Sequence, residues 1–129
     1  MTESDLGSWA IKSGYELKRT GDDKWWAYRK SDNEIIGTFR FCRGKVFEQA
    51  LTVQGGASAF IKRVAQFNRQ YGTGQYSVES SVESVGDRNM IEVVWRRADQ
   101  VTTLTFFAGS SPVSETQWLG TTIPSICRS

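Results

Sequence analysis

The sequence predicts an α+β fold in which about seven antiparallel strands, arranged as one or two meanders, curl around one long amphipathic helix, with a short helix at the N-terminus. Three observations lead there. Residues 15–53 and 76–108 alternate apolar and polar side chains with period two, cut by short polar or glycine-containing turns. Between those stretches Phe60, Ile61, Val64, Phe67, Asn68 and Tyr71 recur at helical spacing. A helix with such a stripe has to lay it on a sheet. The 129 residues suit one hydrophobic core, and no linker or low-complexity run divides them, so a single domain over residues 1–129 is expected.

Element by element, Ser4 or Asp5 can cap a first helix whose Leu6, Trp9 and Ala10 share a side, and Gly14 ends it. Tyr15 and Leu17 then alternate with Glu16 and Lys18 as a half-buried strand. Thr20-Gly21-Asp22-Asp23 turns the chain into a strand from Trp25 to Lys30, and Ser31-Asp32-Asn33 turns it again. In the third strand Ile35, Phe39 and Phe41 fall on one face, Thr38, Arg40 and Cys42 on the other. Arg43-Gly44 leads into Lys45 to Val53, where Phe47, Leu51 and Val53 point one way. Tight connections favour antiparallel neighbours.

At Gly55-Gly56 the period changes to helical, and Gly72 and Gly74 stop the helix. Tyr76, Val78 and Val82 alternate with Glu79 and Glu83. The doubled Ser-Val-Glu-Ser of residues 77–84 therefore reads as one strand with an acidic solvent face. Gly86-Asp87-Arg88-Asn89 reads as a turn. Met90 to Arg97 and Val101 to Ala108 form a hairpin about Ala98-Asp99-Gln100. The pattern weakens after Ser110-Ser111-Pro112, and Trp118 to Cys127 is a short strand or an extended tail.

Composition narrows the chemistry. Histidine is absent, which removes the usual serine and cysteine triads and histidine-ligated metals. Cys42 and Cys127 are the two cysteines, with no CxxC spacing for a zinc site. They are candidates for a disulfide: bridged, they imply an extracytoplasmic location, and as free thiols a cytoplasmic one. Arg40 and Arg43 would favour a Cys42 thiolate, but no partnering base is identifiable, so a structural cysteine is preferred. Asp22 with Asp23, and Asp32 with Glu34, sit in turns rather than across a cleft, and neither carries calcium-loop spacing. Gly55-Gly56 lacks the rest of a phosphate loop and reads as a turn and cap. No catalytic set, metal site or cofactor is called for, and no apolar run approaches the roughly 20 residues of a membrane span. The acidic, polar opening Met1-Thr2-Glu3-Ser4-Asp5 shows no signal peptide.

Net charge is +2, with 12 basic and 8 acidic residues through Tyr71 and 4 basic and 6 acidic beyond it. The most suggestive feature is aromatic residues interleaved with basic ones in residues 25–30, 39–45 and 94–97. Trp25, Trp26, Tyr28, Arg29, Arg40 and Arg43 are the candidate binding residues. In a regular strand one of Trp25 and Trp26 must face away from the core. Tryptophan, tyrosine and arginine anchor protein interfaces. The favoured reading is a non-catalytic protein-binding module of the inhibitor, immunity or accessory kind, with an unidentified protein partner. The alternative is a single-stranded nucleic-acid binder, in which the aromatics stack bases inside a positive groove. Acidic residues interspersed in the same strands, among them Glu16, Asp32, Glu34 and Glu48, argue against a continuous positive track.

Overall fold

Along the chain of this computed structural model the elements are α1 (Glu3–Ser13), β1 (Tyr15–Gly21), β2 (Lys24–Arg29), β3 (Ile35–Cys42), β4 (Lys45–Val53), α2 (Ala57–Tyr71), β5 (Gln75–Glu83), β6 (Gly86–Arg97), β7 (Gln100–Gly109), β8 (Thr116–Thr122) and a short 3₁₀ helix, Pro124–Cys127. The structure describes residues 1–83, 86–109 and 116–128. Among them the fold is α+β: an open antiparallel sheet of eight strands in the order β1-β2-β3-β4-β8-β7-β6-β5, one 15-residue helix and the short N-terminal helix. The weakly patterned tail resolves into β8 and the 3₁₀ helix. Ser110-Ser111-Pro112 lies outside the described residues. Two compact units divide the chain, one of Met1–Leu51 with Thr121–Ser129, the other of Thr52–Gly120.

In the first unit α1 begins two to three residues earlier than the sequence suggests. Thr2 is the N-cap, and Asp5 is the third helical residue of a capping box. The Asp5 carboxylate accepts from the Thr2 backbone N–H at 2.8 Å and from its hydroxyl at 3.0 Å, which holds the Asp5 pKa below the usual 3.8. Gly14 ends the helix in the left-handed conformation (φ 75°), as expected. Leu6, Ala27, Ile36, Phe39, Phe41 and Val46 form the buried cluster, with Trp9, Tyr15, Leu17, Trp25 and Leu51 packed on its margin. Arg43 and Gly44 both have positive φ in the expected two-residue β3–β4 turn. Met1 and Thr2 return to β4, where Val46 N–H donates to the Met1 carbonyl.

Two expected facings change, each at a β-bulge. Between Ala27 and Tyr28 the β2–β3 register slips by one residue, so Ile36 enters the core and Ile35 stands opposite Tyr28. Between Arg40 and Phe41 the β3–β4 register slips likewise, and the extra residue is Phe47. Its ring lies 5.3 Å beneath the Arg40 guanidinium instead of in line with Leu51.

The second unit is built around α2. Phe60 and Val64 are buried with Val93, Trp95, Leu104 and Phe106, and Phe67 and Tyr71 pack at the margin of that cluster. Ile61 is exposed, because at 100° per residue it falls a quarter-turn from the Phe60–Val64–Phe67–Tyr71 stripe. Asn68 closes the helix end: its side-chain oxygen accepts from Gly74 N–H at 3.0 Å and from the Trp95 indole at 2.9 Å. Arg97 stacks 3.8 Å from the Tyr71 ring and donates to Thr102. Gly86 to Asn89 belong to β6 rather than to the expected turn. Tyr76, Val78 and Val82 are exposed rather than half-buried. The cause is position: β5 ends the strand order, and α2 rests on β6 and β7.

Candidate functional site

Strand alternation separates the two neighbouring tryptophans of β2. Trp25 packs on the cluster below, while Trp26 and Tyr28 stand on the opposite, outer face with their rings 6.2 Å apart. Cross-strand register extends this face into rungs. Lys18, Trp26 and Thr38 are directly opposed, as are Glu16, Tyr28 and Ile35, and Lys24, Arg40 and Glu48. Trp26, Tyr28 and Ile35 are each half-buried, forming an apolar patch bordered by charges of both signs. A cavity of about 420 Å³ adjoins it, lined by Glu16, Leu17, Lys18, Tyr28 and Asn33.

The six candidate binding residues do not converge. Trp26, Tyr28 and Arg40 share the outer face. Trp25 belongs to the core margin, and Arg29 is opposed to Tyr15 on that same side of the sheet. Arg43 sits exposed in the β3–β4 turn. Two of the arginines are engaged by acids. Arg29 Nη1 lies 3.1 Å from Asp32 and 3.4 Å from Glu34, and Arg40 Nη1 lies 3.1 Å from Glu48. At half-exposed positions such pairs contribute little stability, but they place a negative charge beside each cation.

Ile35, Phe47 and the Arg40–Glu48 pair are members of this face that sequence reading misses. Ile35 and Phe47 reach it through bulges that leave no mark in the residue pattern.

Cys42 and Cys127 are bridged, with their α-carbons 5.4 Å apart, so Cys42 carries no thiol in this structure. The bridge, together with the 2.7 Å bond from Ile123 N–H to the Phe47 carbonyl, fastens the 3₁₀ segment to the first unit. Trp95, in the third aromatic and basic segment, is buried, and its indole N–H is used by Asn68, so it offers no stacking surface.

Gly55-Gly56 is a turn and cap, as read. Gly56 is the N-cap of α2, and Gly55 has φ 106° with no room for a side chain beside Ala59. The buried Gln117 amide donates to both glycine carbonyls, at 2.5 and 2.9 Å, and accepts from Arg63 at 2.7 Å. Among the described residues no group of three or more Cys, Asp or Glu side chains is placed to hold a metal ion, and no helix is long and apolar enough to cross a membrane.

No protein-family model matches the chain, and neither a curated protein nor a solved structure is measurably similar to it.

Proposed function

We propose that this chain is a non-catalytic protein-binding module that docks through the outer face of β1–β3, with Trp26 and Tyr28 as its anchors. The observation that carries the reading is the pairing of two large aromatic rings on the side of the sheet turned away from the core. A rim of both charge signs surrounds them, supplied by Glu16, Lys18, Lys24 and the Arg40–Glu48 pair. Aromatic centres ringed by polar residues are the usual make-up of protein interfaces. The Cys42–Cys127 bridge supports an extracytoplasmic working environment, where disulfides persist.

The nucleic-acid reading needs a run of unneutralised cations along an aromatic floor. Ion pairing of Arg29 and Arg40, and burial of Trp95, count against it. Titration of labelled single-stranded DNA at about 50 and 200 mM salt separates the two readings, because phosphate contacts weaken steeply over that range. The proposal expects no binding at either salt. Micromolar binding at low salt that collapses at high salt, and disappears when Arg40 and Arg43 are both replaced by alanine, overturns it.

A further inference from the structure

The apolar stripe of β5 is largely exposed among the described residues, and its sequence is complementary to itself. We propose that β5 is a homotypic docking edge, through which two copies of this chain pair antiparallel about a two-fold axis at Ser80.

Among the described residues β5 ends the strand order with only β6 beside it, so one row of its backbone N–H and C=O groups has no strand partner there. Of the devices that normally blunt such an edge, β5 carries only the charges of Glu79 and Glu83. Its nine residues contain no proline, lysine or arginine, and its ladder with β6 runs from Gln75 to Glu83 without a bulge. Val78 and Val82 share one face at 72% and 86% exposure, with Tyr76 beside them at 55%.

What occupies the edge follows from register. A two-fold axis perpendicular to a continuous sheet keeps each residue on its own face, so the centre of symmetry must coincide with a single residue. Centred on Ser80, the doubled Ser-Val-Glu-Ser sets Val78 against Val82 of the second copy and Val82 against Val78, while Glu79 faces Ser81. Both valine pairs form and no carboxylates meet. A centre on Glu79 sets that carboxylate against itself, and one on Ser81 sets Glu79 against Glu83. A centre on Val78 leaves Val82 opposite Gly74. Among centres on Val78 to Ser81, the four-residue repeat thus favours the register centred on Ser80.

One strand pair is a small interface, so dimerisation is expected between about 10 µM and 1 mM chain. Sedimentation of the intact, oxidised protein over that range should show the 14.5 kDa chain shifting towards a species of twice that mass. Val82→Lys, at an exposed position, should keep the far-ultraviolet circular dichroism of the parent and weaken dimerisation at least tenfold. Ser80→Cys should give a disulfide-linked dimer on mild oxidation, since that residue faces its own copy, and Ser77→Cys should not. A protein that stays monomeric to 1 mM, a Val82→Lys variant that folds and dimerises undiminished, or equal cross-linking from positions 77 and 80 overturns the proposal. Monomeric behaviour throughout would leave the edge to an extended segment of a different protein.

Discussion

The two compact units of this chain secure themselves by different means. The first has a short helix and a cluster of six buried apolar residues, and closes its periphery with the Cys42–Cys127 bridge and the return of Met1 and Thr2 to β4. The second contains no cysteine. It docks a 15-residue helix and ties its loops with side chains that satisfy backbone groups, Gln117 at the start of α2 and Asn68 at its end. A covalent clamp and side-chain hydrogen bonds to the backbone can thus serve the same end, the fixing of chain segments that apolar packing alone leaves loose.

That contrast should break first at the bridge. Its sequence separation of 85 residues corresponds to on the order of 4 kcal/mol in the chain-entropy treatment. Reduction, or Cys42→Ala with Cys127→Ala, should lower the urea midpoint accordingly. Amide exchange should accelerate most in residues 121–128 and β4. Acceleration spread evenly through β6 and β7 would deny the bridge a local role.

Core truncations come next. Phe39→Ala and Leu104→Ala each empty a fully enclosed site in one unit, and each should cost about 3 to 5 kcal/mol. If the chain folds as one cooperative domain, both variants shift the same single denaturation transition. Two transitions, each moved by only one variant, would show that the units unfold separately.

A smaller loss, about 1 to 3 kcal/mol, is expected for Gln117→Ala, which takes the amide donor from the Gly55 carbonyl and leaves the Gly56 carbonyl with Phe60 N–H alone. Gln117→Glu keeps the acceptor for Arg63 but loses the amide donor, so it should recover only part of the loss. Full recovery would show that Arg63, not the glycine carbonyls, is what Gln117 serves.

How far the fold was legible depended on whether a residue's role is local. The Arg43-Gly44 turn, the Gly14 helix stop, the α2 stripe and the Ala98-Asp99 hairpin are written in turn chemistry and periodicity, which act over a few residues. Ile35 and Phe47 were misfaced because a bulge is set by how two distant strands meet, not by either strand's pattern. The same limit hid the exposure of Val78 and Val82, whose alternation is that of any half-buried strand; the strand order, with α2 resting on β6 and β7, accounts for it. Of the candidate site, the separation of Trp25 and Trp26 followed from strand geometry alone. Which of the two is outermost, and that Arg29 and Arg40 are held by Asp32, Glu34 and Glu48, required the register.

The smallest effect concerns the cap of α1. The Thr2 donors hold the Asp5 pKa below 3.8, so the capping contribution is complete above that pH and lost as pH falls through the lower folded-state value. Thr2→Ala should therefore abolish a small part of the acid-dependent fraying of α1, read from amide exchange at Leu6. Unchanged fraying would assign the acid sensitivity elsewhere.

The proposed protein contact surface is the outer face of β1–β3, and site-specific photo-cross-linking tests it most directly. A photoreactive phenylalanine analogue is placed at Trp26 and, as a control, at the exposed Ile11 of α1. Each variant is irradiated in an extract of the cells that produce the protein. The account predicts a discrete protein adduct from position 26, insensitive to nuclease, and none from position 11. Adducts that nuclease removes, or the same adduct from both positions, would contradict it.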